Sequence, residues 1–178
     1  DAAWNQAGGK FLVAEASKTN GPTRLTEIDP FTGSRGRTMD LPSPVTRVAI
    51  SDDGQVAWLA SKANTIQRVD LAAWRFDREC QIDPTTTNIF ALDISILPAE
   101  PERCIVMTTT NYSTCRMALY DHGLPLAIRA TLPGSSSSAT LVLGRPGEVF
   151  CQTYGYLSRL VVVSNGIALD RAVFTSAA

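Results

Sequence analysis

The length, composition and charge of the chain limit the kinds of protein it can encode. Its 178 residues, 44% of them hydrophobic and 19% charged, suffice for one folded domain with an apolar core and exclude a disordered chain. The net charge is −1 and Lys and Arg are scattered singly, so no nucleic-acid partner is predicted. The longest apolar runs, such as 160–163, are far shorter than the about 20 residues that span a bilayer, and residues 1–9 lack the regions of a signal peptide. We therefore expect no membrane span.

Four units of similar length follow one another, each made of short apolar strands joined by polar turns. Within a single domain spanning 1–178, we place the units at approximately 1–42, 43–84, 85–134 and 135–178. Each unit has an Asp or Asn turn ahead of its last strand, at Asp29, Asp70, Asp121 and Asn165. By subtraction these turns are 41, 51 and 44 residues apart. A repeat of about 45 residues is typical of stacked small sheets.

Apolar and β-branched stretches between the turns predict four strands in each unit. The first unit has strands at 2–6, 11–16, 24–28 and 35–41. The second has strands at 45–50, 55–60, 65–71 and 75–82. The third has strands at 91–97, 104–109, 116–120 and 128–132. The fourth has strands at 140–143, 149–153, 159–163 and 168–174. The second unit gives the strongest signal, because Asp53-Gly54 between two strands is a hairpin turn in which Gly accepts a positive φ.

Sixteen short strands without a required helix predict an all-β fold. We expect a β-propeller of about four four-stranded antiparallel blades, which could be part of a larger propeller. A β-sandwich is the alternative, and the repeat length favours the propeller. Residues 135–138, four serines after Pro133-Gly134, are predicted to form a flexible linker between the last two units.

Three segments of the first two units resemble the YVTN-type repeats of bacterial and archaeal secreted or surface propellers. They are residues 28–33 (IDPFTG), 48–60 (VAISDDGQVAWLA) and 66–71 (IQRVDL). In the third unit, 93–98 (DISILP) and 118–123 (ALYDHG) resemble longer blades of such chains, and the fourth unit matches by position only. The resemblance implies an extracellular, cell-surface or periplasmic location. Because such proteins usually close a ring of about seven blades, it also implies ring completion by further blades or by another chain.

Cysteine and histidine give little indication of chemistry. The cysteines Cys80, Cys104, Cys115 and Cys151 form no C-x-x-C pair and His122 is the only histidine, so no metal site is predicted. The four thiols are either disulfide-bonded or free and buried, and both interpretations stay open. If a disulfide forms, Cys104 and Cys115 are the candidates, because they flank one predicted hairpin.

No catalytic group of residues is predicted, and we expect no cofactor. Asp52-Asp53-Gly54 resembles the start of a calcium loop but lacks the later acidic ligands, so we interpret it as a turn. His122 lies in a hairpin turn without a recognisable nucleophile nearby. The alternative function is a propeller enzyme of the lactonase or quinoprotein type with an active site at the central channel, and it rests on fold analogy.

We expect a non-catalytic secreted or surface module that mediates protein or glycan binding or assembly. The loops between the second and third strands of each unit should share one face with the connections between units. Amide, basic and aromatic side chains there predict a binding site made of Lys62, Asn64, Asn111, Tyr112, Tyr154 and Tyr156. Aromatic rings provide contact area at low entropic cost, and amides provide directional hydrogen bonds.

Overall fold

The structure of the chain is a computed structural model that describes residues 1–15, 23–61, 64–83, 88–110 and 114–175, with the backbone alone at 135–138. These residues form sixteen strands. They are β1 (Ala2–Asn5), β2 (Lys10–Glu15), β3 (Thr23–Ile28), β4 (Arg35–Leu41), β5 (Val45–Ile50), β6 (Val56–Ser61), β7 (Thr65–Asp70), β8 (Arg75–Gln81), β9 (Ile89–Leu97), β10 (Glu100–Thr110), β11 (Thr114–Asp121), β12 (Leu124–Leu132), β13 (Ser135–Leu143), β14 (Glu148–Tyr154), β15 (Tyr156–Val163) and β16 (Gly166–Phe174). Over the described ranges, no helix has the length and apolarity needed to cross a membrane.

The strands form consecutive antiparallel meanders of four, which we call the first to fourth meanders in chain order. The first meander is a sheet of order β1-β2-β3-β4, and the second is a sheet of order β5-β6-β7-β8. The third and fourth meanders join in one eight-stranded sheet of order β13-β14-β15-β16-β12-β11-β10-β9. The prediction of an all-β, propeller-like fold is therefore confirmed, whereas the expected layout of four separate blades is wrong at this last join.

The join between the last two meanders depends on a glycine. β12 and β16 pair in parallel at Ile128 and Gly166, where the Ile128 N–H donates to the carbonyl of Asn165 at 2.9 Å. Gly166 has φ +142, and a Cβ there would lie 2.1 Å from the Ile128 carbonyl oxygen. The two outer strands can approach each other only because residue 166 has no side chain.

The predicted flexible linker at 135–138 is also wrong. β13 begins at Ser135, which pairs with Tyr154, and the register then shifts before Thr140. The Thr153 hydroxyl donates to the Pro133 carbonyl at 2.6 Å and ties the start of this segment to β14. The low-complexity stretch therefore belongs to strand β13, which is irregular between Ser135 and Thr140.

Three apolar clusters hold the meanders together face to face. The cluster between the first two contains Leu12, Leu25, Leu59 and Val69. The cluster between the second and third contains Trp58, Ile66, Ile94, Val106 and Tyr120. The cluster between the third and fourth contains Ile105, Met107, Met117, Val149 and Leu160. Because the residues of each strand alternate between faces, the middle meanders present apolar side chains to both neighbours.

The first strands of the meanders lie side by side, with β5 against β1 and β9, and β9 against β13. Carboxylates link these inner strands. The Asp1 carboxylate accepts a hydrogen bond from the Val48 N–H at 2.8 Å, and the Asp93 carboxylate accepts one from the Leu141 N–H at 2.9 Å. In each pair, a side chain of one meander satisfies an edge amide of the next.

Because the chain of each meander turns alternately at its two ends, the stack of four meanders, which we call the arc, has two edges. We call the edge with the hairpins β1–β2, β3–β4 and their counterparts the turn edge. The loop edge carries the β2–β3 hairpin, its counterparts and the connections between meanders.

Candidate interaction surfaces

The predicted binding residues belong to the loop edge, and three of the six lie outside the described residues. Those three are Lys62, Asn111 and Tyr112. Asn64 is half-buried with φ 59, and its amide donates to the Asp83 carbonyl at 3.0 Å, so it supports the connection between the second and third meanders. Tyr154 is 65% exposed, whereas Tyr156 packs edge-on against Phe174 with ring centroids 5.3 Å apart. The structure does not bring the three described residues together, because Asn64 lies two meanders away from the tyrosines.

A narrow polar groove crosses the loop edge between the second and third meanders. The Arg129 guanidinium lies 3.4 Å from the Asp83 carboxylate, and the Tyr120 hydroxyl donates to the Ile82 carbonyl at 2.8 Å. Burial raises the pKa of Tyr120, so its hydroxyl stays protonated. The cavity between these groups measures only about 20 Å³, which is close to the space for one water molecule. Among the described residues, this space accommodates no more than about one water molecule.

The turn edge carries larger clefts on both sides of the 51–55 hairpin. A cleft of about 320 Å³ lies between this hairpin and the turn at 98–99, lined by Asp52, Asp53, Leu97, Glu100 and Pro101 among others. A cleft of about 230 Å³ lies between the same hairpin and the first meander, lined by Lys10, Glu27, Arg37, Asp53 and Gln55 among others. Asp53 lines both clefts, so they adjoin.

Asp52 and Asp53, predicted as turn residues, have that role and also face the clefts. The Asp53 carboxylate accepts hydrogen bonds from the Ser51 hydroxyl at 2.6 Å and the Gln55 N–H at 3.0 Å, and these bonds lower its pKa. The Asp52 carboxylate accepts one from the Ala99 N–H at 3.3 Å, across the larger cleft. Ala99 has φ 60, so the facing turn is held in the left-handed region. Both acidic side chains of the hairpin are therefore held by hydrogen bonds, and the lowered pKa of Asp53 keeps its carboxylate ionised near neutral pH.

A charged cluster forms the wall of the smaller cleft. The Glu27 carboxylate is almost fully buried and accepts hydrogen bonds from the Arg37 guanidinium at 2.7 and 3.1 Å, with the Lys10 ammonium 3.5 Å away. Hydrogen bonding to Arg37 lowers the pKa of Glu27, and the same pair raises the pKa of Arg37. Arg37 also lies 4.5 Å above the Trp74 ring and donates to the Leu71 carbonyl, which links the first two meanders.

Two exposed apolar side chains project from hairpins of the turn edge. Phe31 is 93% exposed in the turn after β3, where the Asp29 carboxylate accepts hydrogen bonds from the N–H groups of residues 31 and 32. Leu124 is 70% exposed at the start of β12. The hydrogen bonds to Asp29 fix the turn that presents the Phe31 ring to solvent.

The described residues contain no group of three or more His, Cys, Asp or Glu side chains placed to hold a metal. His122 has φ 50 in an exposed turn, where its Nδ1 lies 2.6 Å from the Asp121 carboxylate. The contact between His122 and the Asp121 carboxylate therefore joins two neighbouring residues of one turn.

The structure also corrects the expected disulfide candidate. Cys104 pairs with Tyr120 and Cys115 with Thr109, so the two cysteines do not face each other across the hairpin. Cys104 belongs to the cluster facing the second meander and Cys115 to the cluster facing the fourth, which puts them on opposite faces of the sheet. All four thiols are free. Burial raises the pKa of Cys115 to about 11 and that of Cys151 to about 12.

The sequence interpretation placed the binding site on the loop edge and did not identify the clefts of the turn edge. The acidic pair Asp52-Asp53 was visible, but a hairpin turn accounts for it without a cleft. The 51–55 hairpin faces neighbouring turns on both sides because the meanders stack. No local sequence pattern specifies this stacking.

Comparison with solved structures identifies the fold as a β-propeller. The chain is similar to the WD40 domain of Toxoplasma gondii coronin, with a TM-score of 0.74 and 13% identity over 99% of this chain and 45% of that one. It is similar to a functionally unknown protein from Desulfotomaculum acetoxidans DSM 771, with a TM-score of 0.69 and 18% identity over 99% and 56%. The β-propeller domain of Myceliophteria thermophila Cps50 (Swd1) gives a TM-score of 0.65 and 14% identity over 90% and 51%.

The chain thus spans about half the length of the solved propellers it resembles. No protein-family model and no curated protein matches its sequence.

Proposed function

We propose that the chain is a non-catalytic protein-interaction module that binds its partner along the turn edge. The observation that carries the proposal is the pair of adjoining clefts on the two sides of the 51–55 hairpin. The propeller fold supports it, because a rigid stack of sheets holds turns from successive meanders in fixed positions. The clefts are open to solvent, which suits an extended segment of a protein better than an enclosed substrate.

The chemistry of the larger cleft favours a partner segment with Lys or Arg next to apolar residues. The Asp52 carboxylate can accept more hydrogen bonds than the one from the Ala99 N–H, and Glu100 lies on the opposite wall, paired with Arg103 at 2.7 Å. Leu97 and Pro101 form an apolar wall beneath these carboxylates. Phe31 and Leu124 extend the same edge with exposed apolar surface. Binding should weaken with salt, since the carboxylates are close to solvent.

We also propose a cellular location and a family relationship for the chain. The resemblance of 28–33, 48–60 and 66–71 to YVTN-type repeats supports an exported or cell-surface module of that group. Glycan binding through the loop edge is a second candidate, favoured by the exposed ring of Tyr154, because exposed aromatic rings stack on sugars.

The test is capture of partners from the source organism with the full chain as bait. We expect the variant Asp52→Asn/Glu100→Gln, and separately Phe31→Ala, to lose at least about 10-fold of a captured partner's affinity, equivalent to about 1.4 kcal/mol. Tyr154→Ala is the matched control on the opposite edge and should bind normally. Loss of binding in Tyr154→Ala with normal binding in the turn-edge variants would contradict the proposal and transfer the site to the loop edge.

A further inference from the structure

The two clefts of the turn edge differ in the charged groups that line them. The lining of the larger cleft contains Asp52, Asp53 and Glu100 and, among the described residues, no Lys or Arg. The lining of the smaller cleft contains Lys10 and Arg37 beside its acidic residues. Every cation in the two linings therefore lies on the side of the hairpin that faces the first meander.

The carboxylate between these two cations is already occupied. The Glu27 side chain is 6% exposed, and its Oε1 accepts a hydrogen bond from the Arg37 Nη2 at 2.7 Å. Its Oε2 accepts hydrogen bonds from the Arg37 Nε at 3.1 Å and the Lys10 Nζ at 3.5 Å. Both oxygens of this buried group thus have donors within the protein, so Glu27 offers a partner little capacity to accept further bonds.

The two cations, in contrast, are accessible and keep donors of their own. The Lys10 side chain is 42% exposed and the Arg37 side chain 49% exposed. A lysine ammonium has three N–H donors and a guanidinium has five. Contacts with Glu27 and with the Leu71 carbonyl use one donor of Lys10 and three of Arg37. Each cation therefore retains N–H groups that no described residue accepts.

The larger cleft offers the complementary groups. The Asp52 Oδ2 accepts a hydrogen bond from the Ala99 N–H at 3.3 Å, and the Glu100 Oε2 accepts one from the Arg103 guanidinium at 2.7 Å. The second oxygen of each of these carboxylates has no hydrogen bond from a described residue. The larger cleft thus presents unused acceptors, whereas the smaller cleft presents unused donors.

Arg37 is fixed in position before any partner arrives. Its guanidinium lies 4.5 Å from the centre of the Trp74 ring and makes two hydrogen bonds to Glu27. A side chain that is already held loses little conformational freedom when it binds, so more of the interaction energy appears as affinity. The smaller cleft is therefore prepared to bind a carboxylate.

We propose that one extended partner segment crosses the 51–55 hairpin, with a Lys or Arg in the larger cleft and an Asp or Glu against Lys10 and Arg37. This inference rests on the proposed function and adds an acidic determinant to the partner. Packed sheets lie about 10 Å apart, and an extended chain advances about 3.3 Å per residue with alternate side chains on the same side. Two positions span only about 6.6 Å, so the two charged residues stand about four positions apart.

Such a partner is recognised by the order of its charges and not by its net charge. A uniformly basic segment would place a cation beside Lys10 and Arg37, and a uniformly acidic one would meet Asp52 and Glu100. Like charges brought together at an interface oppose binding, which selects against the wrong partner. The paired clefts therefore disfavour both polybasic and polyacidic chains.

The test is a set of short synthetic peptides titrated into the full chain and followed by NMR chemical shifts. One peptide has a lysine next to a leucine and a glutamate about four positions away, and its matched peptide has glutamine in place of glutamate. Both are made in the two sequence orders. In one order we expect the glutamate peptide to bind about 3–5-fold more tightly, as for an ion pair near solvent. Equal affinities in both orders would overturn the inference.

Substitutions at Lys10 assign this preference to the smaller cleft. Lys10→Gln should reduce the preference for the glutamate peptide to about 2-fold or less and leave the affinity for the glutamine peptide unchanged. Lys10→Arg should retain the preference. Arg24→Gln is the matched control, because Arg24 is an exposed cation of the same meander at the loop edge, and it should retain the full preference. A preference that survives Lys10→Gln undiminished would contradict the assignment.

A variant of the larger cleft distinguishes this inference from the proposed function. Asp52→Asn/Glu100→Gln should weaken both peptides by the same factor, because both depend on the lysine. If it does so while the wild type binds the two peptides equally, the turn edge binds the segment and the acidic determinant is wrong. If it leaves both affinities unchanged, the proposed function fails at the larger cleft, whatever Lys10 contributes.

Discussion

Replacing Trp58 by Phe should reveal how much of the stability resides in the junction between the second and third meanders. Trp58 has no exposed surface, and its Nε1–H donates to the Pro101 carbonyl of the next meander at 3.0 Å. The Trp58→Phe change removes this donor and leaves the carbonyl without it, at a cost of about 1–2 kcal/mol. It also removes roughly 40 Å³ of side chain, which at about 24 cal/mol per Å³ costs about 1 kcal/mol.

The expected loss for Trp58→Phe is therefore about 2–3 kcal/mol, or about 4–12 °C in Tm for a chain of this size. Urea unfolding followed by far-UV circular dichroism, at one fixed protein concentration, measures it. Trp4→Phe is the control, because Trp4 is 45% exposed and should shift stability by about 0.5 kcal/mol or less. If the two variants unfold at the same urea concentration, the junction does not contribute as we infer.

Two further substitutions and one thiol assay test separate features. Gly166→Ala should destabilise the protein by about 2–4 kcal/mol, because its Cβ would meet the Ile128 carbonyl. The control Gly147→Ala, at a positive φ with open space around it, should cost about 1 kcal/mol. Equal losses in chemical denaturation would refute the clash at residue 166. Hydrogen bonding to Arg37 lowers the pKa of Glu27 below 4.5, so the stability it provides is present above pH 4.5 and is lost as the pH falls through the folded pKa. Glu27→Gln should therefore show a weaker loss of Tm on acidification than the wild type, and an unchanged pH profile would contradict this. Four thiols should react with Ellman's reagent after unfolding, and the three buried ones only slowly in the native protein; fewer than four in the unfolded chain would indicate a disulfide.

The strands could be predicted from sequence because each depends on a local pattern. The hairpin at Asp53-Gly54 is an example: β5 ends and β6 begins within a residue of the predicted positions, and Gly54 has φ +69. Strand length was underestimated where strands extend through polar residues. β10 begins at Glu100 and continues to Thr110, because its backbone is paired on both sides with β9 and β11. Tertiary pairing then determines the strand ends more than propensity does.

The features that sequence reasoning missed depend on contacts between meanders. The parallel approach of β12 and β16 requires a glycine at 166, but Asn165-Gly166 has the form of an ordinary hairpin turn. The disulfide pairing failed because the partner of Cys104 across the hairpin is Tyr120, five residues beyond Cys115. The candidate clefts exist because the 51–55 hairpin lies between two other turns. The sequence of no single segment determines how these turns are placed relative to one another.

The carboxylates on the inner strands also bear on aggregation. An exposed strand edge offers free amide groups to any extended chain and is a common starting point for fibril growth. Val48 and Leu141 already donate these groups to Asp1 and Asp93 of the preceding meander. An incoming strand would have to displace a charged acceptor at each of these positions. The side chains that align successive meanders therefore also protect the first strands β5 and β13 against unwanted pairing.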